Sequence, residues 1–120
     1  MLKKVNLLEK FALIDQYECP KIVGELNGQY VKLSKLKGEF VWHKHEEEDE
    51  LFLVVKGRLR MMLRDGDVVL DEGEMFNVPR DVEHNPVAEP ECFILLFEPK
   101  STLNTGDVRN AKTVAELEWL

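Results

Sequence analysis

The rhythm of apolar and polar positions changes near residue 20. Ahead of it, Leu7, Leu8, Phe11 and Ile14 recur at helical spacing, and Asn6 stands where an N-cap belongs. A short helix is expected within residues 6–16, and one so short must pack on something. From Lys21 onward the pattern turns to short apolar or alternating runs separated by turn residues. Residues 22–26 lead into Asn27-Gly28, a two-residue hairpin signal because both positions accept positive φ. Residues 30–36 alternate in part, with Val31 and Leu33 set against Lys32 and Ser34, and Gly38 breaks the run. Further extended runs are expected at 40–45, at 50–56 and, past Gly57, at 58–64. Short ones follow at 68–70, 75–78 and 83–87, with Pro86 suited to an edge or a bulge, and the last clear strand covers 91–98. Many short strands at this spacing make a β-sandwich or barrel.

Residues 100–120 read differently. Loop residues dominate 101–107, and Val114, Leu117 and Trp119 give a last strand or turn able to pack on the barrel. No internal repeat, linker or low-complexity tract interrupts the chain, so 120 residues read as one domain, with residues 1–20 as an N-terminal extension. The acidic run Glu46 to Asp49 reads as a solvated loop.

Charge narrows the partners. A net charge of -7 argues against nucleic acid, whose binding needs Lys and Arg on phosphates, and against an anionic membrane. No apolar run approaches the roughly 20 residues that span a bilayer. Two lysines open the chain, but Asn6, Glu9 and Lys10 interrupt the apolar stretch behind them and no small-residue cleavage site follows, so no secretory signal is read. Cys19 and Cys92 form no CxxC pair. Cys92 lies in an apolar run and reads as a small buried hydrophobe. Nothing calls for a disulfide, and a cytoplasmic location is expected.

The chemistry-bearing residues are few. The chain has 3 histidines, His43, His45 and His84. The first two stand at i and i+2, which in an extended segment puts both imidazoles on one face. Glu50 opens the next strand and returns to their level if the two segments pair. His84 follows the corner at Pro79. Three imidazoles and one carboxylate suit one divalent ion of Zn, Fe, Mn, Ni, Cu or Co, and leave positions on an octahedral ion for water, substrate or dioxygen. Taken singly, each residue has a blander reading: surface histidines, a structural histidine, a solvated glutamate.

Their joint spacing resembles a known family. Gly38, His43, His45, Glu50 and Gly57 resemble the first cupin motif, and Gly73, Pro79 and His84 resemble the second, with 15 residues between the motifs. The resemblance covers residues 30–98. It implies an all-β double-stranded β-helix, or jelly-roll barrel, here preceded by a short helix. It implies metal ligation by His43, His45, Glu50 and His84, and it implies dimers. The chain departs from the family pattern at Asp81, where Gly is usual, and at Ala88, where Asn is usual. Asp49 competes with Glu50 for the carboxylate role. Glu50 fits the spacing to Gly57, and its longer side chain reaches inward.

With Glu50 inward, Phe52 and Val54 also face the lumen, and Leu51, Leu53 and Val55 face outward. That outer face is too apolar for water, so the N-terminal segment, the tail or a second subunit must cover it, and a homodimer is expected. Within such a barrel two functions stay open. One is a metal-dependent oxygenase or isomerase acting on a small anionic or chelating molecule. The other is a metal-dependent small-molecule binder or sensor without turnover. A barrel with a vestigial site is the third possibility, and no ligand is missing to favour it. No general base stands out. Trp42, Phe52 and Phe76 are candidate lumen walls, though core packing suits them better. Arg58, Arg60 and Arg64 share one face, which reads as solvated more readily than as a basic cavity mouth.

Overall fold

The computed structural model describes residues 2–120. Asn6 caps the first helix by accepting the Glu9 N–H at 3.0 Å, and α1 runs Leu7–Ala12. The strands are β1 Lys21–Leu26, β2 Gln29–Glu39, β3 Glu50–Leu63, β4 Val68–Leu70, β5 Met75–Val78 and β6 His84–Pro99. They form one antiparallel sheet in the order β1-β2-β6-β3-β4, with β5 paired to the start of β3. Asn27 and Gly28 both take positive φ, 50° and 75°, and close the β1–β2 hairpin in two residues, as their sequence predicts.

Several short expected strands are pieces of longer ones. Gly57 does not end a strand. It takes φ 90° inside the 14-residue β3, where the pairing with β6 slips. A Cβ there would collide with the Glu91 carbonyl and lie 3.2 Å from Cys92 Cα, so only glycine fits. Gly38 sits at a slip in β2, one residue before the strand ends. Residues 83–87 and 91–98 join into the 16-residue β6, which bulges around residues 89–91. These slips bend β3 and β6, so that one sheet curls around a lumen instead of lying open.

Pro86 was expected at an edge or a bulge and instead lies within central β6, opposite Met61. Its position is compatible because β2 has already ended alongside. The Pro86 carbonyl accepts the Phe40 N–H at 3.0 Å, so its missing donor would have faced the Phe40 carbonyl. Lys112 Nζ donates to that carbonyl instead, at 3.3 Å. Residues 40–45 also differ from expectation: they make no strand, only an isolated bridge between His43 and His84.

The lumen is packed by Leu36, Phe52, Val54, Leu59, Met61, Leu70, Val78, Ala88, Cys92, Ile94 and Leu96, all buried. Phe76 packs against this cluster from a half-buried position. Phe52 and Val54 face inward and Leu51, Leu53 and Val55 outward, as the phase of Glu50 requires. Part of the outer face is covered by α1. Phe11 and Ile14 form a second cluster with Val23 and Leu33, with Val55, Phe93, Leu95 and Leu120 around it, and the Phe11 and Phe93 rings stack 5.0 Å apart. Cys19 and Cys92 are free thiols, and burial pushes the Cys92 thiol up to about 12. Among the described residues, no helix is long and apolar enough to cross a membrane.

Because α1 is too short to stand alone, Phe11 should hold it to the sheet. Phe11→Ala is expected to cost about 3 kcal/mol or more of unfolding free energy in urea. A loss below about 1 kcal/mol, within the range of surface substitutions or little beyond it, would show that α1 lies outside the cooperative unit.

Candidate metal centre

His43, His45, Glu50 and His84 converge inside the barrel, each offering a donor atom within 4.8 Å of the others, and all four are buried. Glu50 comes from the first residue of β3 and His84 from the first residue of β6. The two remaining histidines sit on the irregular segment before the acidic loop. That segment is held by backbone bonds from three directions. His43 exchanges both of its backbone bonds with His84, at 3.0 and 2.9 Å. The Lys44 carbonyl accepts the Asp107 N–H at 3.0 Å, and the His45 carbonyl accepts the Asp81 N–H at 2.7 Å.

The ring orientations suit ligation. His43 Nδ1 lies 2.9 Å from the Val41 carbonyl, and His84 Nδ1 lies 2.9 Å from the Val82 carbonyl. Donation to these carbonyls sets the tautomer and leaves each Nε2 free with its lone pair directed inward. Glu50 Oε1 lies 3.2 Å from His45 Nε2 and 3.3 Å from His84 Nε2. These atoms nonetheless have no well-aligned hydrogen-bond partner. Adjacent donors around an ion with bonds of about 2.1 Å stand about 3 Å apart, so both the spacing and the orphaned atoms fit a shared cation.

Charge in the cluster is strongly perturbed. Burial, then the neighbouring His84, lowers the His43 imidazole to about 4, so it is neutral and ready to ligate at ordinary pH. Burial works against charge on His45, but Glu50 overcomes it and raises that pKa. Burial alone would raise Glu50. Its contacts with His45 and His84, and then Glu98, hold it well below the carboxylate range.

A second polar set lies deeper. Lys32 and Ser34 do not face solvent; each is 1% exposed and points into the lumen, while Val31 and Leu33 face α1. Lys32 Nζ pairs with Glu98 Oε1 at 3.1 Å, both fully enclosed. Burial and Glu50 together push Glu98 well above the usual carboxylate range. Ser34 Oγ and Glu98 Oε2 have no partner. They line a lumen cavity with His43, Glu50, Phe52 and Asn104, whose free volume of about 30 Å³ holds a water or two. Sequence reasoning missed this set. Its signal was the Lys32/Ser34 alternation, which reads equally well as a solvated face unless the opposite face is known to be covered.

The remaining candidates fall outside the lumen. Asp49 is exposed and binds the Arg80 N–H at 2.8 Å, which leaves Glu50 as the inward carboxylate. Arg58, Arg60 and Arg64 pair with Asp71, Glu89 and Glu83 on the outside, the solvated arrangement. Trp42 lies under the Arg64 guanidinium, 3.7 Å from it, and does not line that cavity. Asp81 takes φ 66°, so the corner keeps the shape glycine would give it.

This curled sheet, with an imidazole and carboxylate cluster at its heart, defines a single-barrel protein of the jelly-roll class. Residues 30–96 match the Cupin domain family, and the chain belongs to that family. It is similar to a cupin-2 domain protein from Shewanella frigidimarina, with TM-score 0.79, 43% identity and coverage of 80% of this chain and 94% of that one. It is similar to a Neisseria meningitidis protein, with TM-score 0.75, 33% identity and coverage of 82% and 100%. It is also 31% identical to the protein YdbB of Bacillus subtilis over 70% of this chain and 75% of that one.

The low pKa of His43 has a consequence for the metal-free protein. Between about pH 6.5 and 4 the unfolded chain holds a proton on this imidazole and the fold does not. Stability from this cause therefore falls on acidification, by about 1.4 kcal/mol per pH unit at most. Urea titrations of chelator-treated protein across this window should show a steeper loss for wild type than for His43→Gln. Parallel curves would contradict the assignment.

Proposed function

We propose that the barrel holds one divalent cation on His43, His45, Glu50 and His84, and that it is a metal-dependent enzyme of the oxygenase or isomerase kind acting on a small chelating molecule. The observation that carries the metal is the set of buried, unpartnered donors His45 Nε2, Glu50 Oε1 and His84 Nε2. Leaving such atoms buried without a partner costs about 1–3 kcal/mol each, more for charged groups, and a cation removes that cost. When bound, the ion supplies Lewis acidity and open coordination positions. The chain's own residues do the rest. The Val41 and Val82 carbonyls hold two imidazoles in register. Phe52, Leu36, Ile94 and Leu96 give the site its apolar walls. Ser34 and Glu98 offer hydrogen bonds to a ligand oxygen beyond the ion. The small lumen favours a compact ligand with two polar groups close together.

Protein purified without chelators should carry about one equivalent of metal by elemental analysis, and His84→Ala should lose most of it. Unchanged occupancy in that variant would overturn the ligand assignment. Oxygen uptake by the Fe(II)-loaded form over catechols, thiols and diketones then separates an oxygenase from a binder without turnover.

The same reading includes a homodimer. Leu51, Leu53 and Phe97 are only half-buried, Met75 is 53% exposed, and α1 does not reach them. A second copy would cover this strip, as two-fold pairing commonly does. Sedimentation at micromolar concentration should give a dimer, and Leu53→Lys should give a monomer. A wild-type monomer would exclude the pairing.

A further inference from the structure

Residues 43–45 carry two of the four donors yet belong to no strand. Their conformation is imposed from outside, and the C-terminal tail supplies a large share of it. Asp107 brackets Lys44: its N–H donates to the Lys44 carbonyl at 3.0 Å, and its Oδ1 accepts the Lys44 N–H at 3.0 Å. Gly106 lies against the same residue. A Cβ on Gly106 would collide with the Lys44 carbonyl oxygen, lie 2.9 Å from its carbon, and come 3.0 Å from Cδ2 of the His43 ring. Its φ of 57° is a second reason for glycine.

The tail is itself firmly built. Thr105 is fully buried, and its Oγ1 bonds the Val108 carbonyl at 2.6 Å and Thr113 Oγ1 at 2.7 Å. Asn104 Oδ1 accepts the Val114 N–H at 2.9 Å, and its Nδ2 donates to the Lys112 carbonyl at 2.8 Å. Lys112 Nζ then reaches back to the Glu39 carbonyl at 2.8 Å. The strap is therefore braced internally around the point where it meets the histidines, and tied to β2 through Lys112. The family match ends at residue 96, so the tail's side of each of these contacts lies outside it.

We infer that the tail is part of the metal centre: Gly106 and Asp107 are positioning residues that set the His43 and His45 rings through the Lys44 backbone. This rests on the metal reading above. A side chain at position 106 would push residues 43–44 off the strap and move the His43 ring while its bridge to His84 stays intact. Loss of the Asp107 carboxylate would free the Lys44 N–H and loosen the same turn.

The test uses Co(II), whose visible absorption reports ligand geometry, with affinity measured against a competing chelator. Gly106→Ala and Asp107→Ala should each bind Co(II) about tenfold or more weakly, the range typical of groups that orient metal ligands. Their absorption bands should shift. Asp107→Asn keeps an oxygen acceptor for the Lys44 N–H and should restore affinity and spectrum. Gly28→Ala is the control: it also replaces a positive-φ glycine, but at the β1–β2 turn, where an added Cβ meets nothing within 4 Å. It should lower the melting temperature and leave Co(II) binding unchanged. Affinity within twofold of wild type and an unshifted spectrum in Gly106→Ala and Asp107→Ala would overturn the inference while the metal reading stands. If Gly106→Ala does not fold, the Asp107→Ala and Asp107→Asn pair decides. A wild type that takes up no Co(II) would end the metal reading, and this inference with it.

Discussion

A carboxylate enclosed in an apolar barrel is the constraint around which the rest is arranged. Glu50 is 4% exposed, and a charge so buried must be compensated. Three imidazoles surround it, but one of them, His43, is too deeply buried to carry a proton above about pH 4. On His45, by contrast, Glu50 favours the proton. Lys32 is also buried, but it is already paired with Glu98. A divalent cation would balance the group while leaving every imidazole neutral, the state in which imidazole ligates. The electrostatics of the lumen and its proposed chemistry thus have a common origin.

Bringing those groups together requires strands that bend. Glu50 and His84 both begin long strands, and β3 and β6 pair along most of their lengths, with Leu63 opposite His84 and Leu51 opposite Phe97. A flat pair would leave Glu50 and His84 near opposite ends of the ladder. The slips at Gly57 and at residues 89–91 curl the sheet so that the two ends face each other across the lumen. Gly57 and the bulge opposite it are one device, since the glycine is required by its approach to the Glu91 carbonyl.

The residues that carry the site were legible in the sequence because their spacing survives any detail of strand boundaries. The phase of β3 followed from Glu50, and with it the inward Phe52 and Val54. Boundaries were less legible. Gly38 and Gly57 read as breaks because glycine ends strands as often as it bulges them, and only the partner strand decides. Pro86 read as an edge or bulge residue because its accommodation depends on Phe40 and Lys112, distant in sequence. The inward Lys32 and Ser34 were hidden for a similar reason. Alternation has two phases, and what settles them is α1 covering Val31 and Leu33 from the outside.

The same logic explains why residues 40–45 need not be a strand. In an extended strand, His43 and His45 would share a face, but their rings would be tied to sheet geometry. Held instead by His84, Asp107 and Asp81, each of residues 43–45 has its own backbone partner. Each of these bonds fixes a different residue, so together they stand in for the ladder that a strand would have supplied. The cost is dependence on distant parts of the chain: a corner where Asp81 takes the left-handed conformation, and a tail whose Asp107 holds Lys44. The cluster proposed to hold the metal therefore draws on residues beyond the family match.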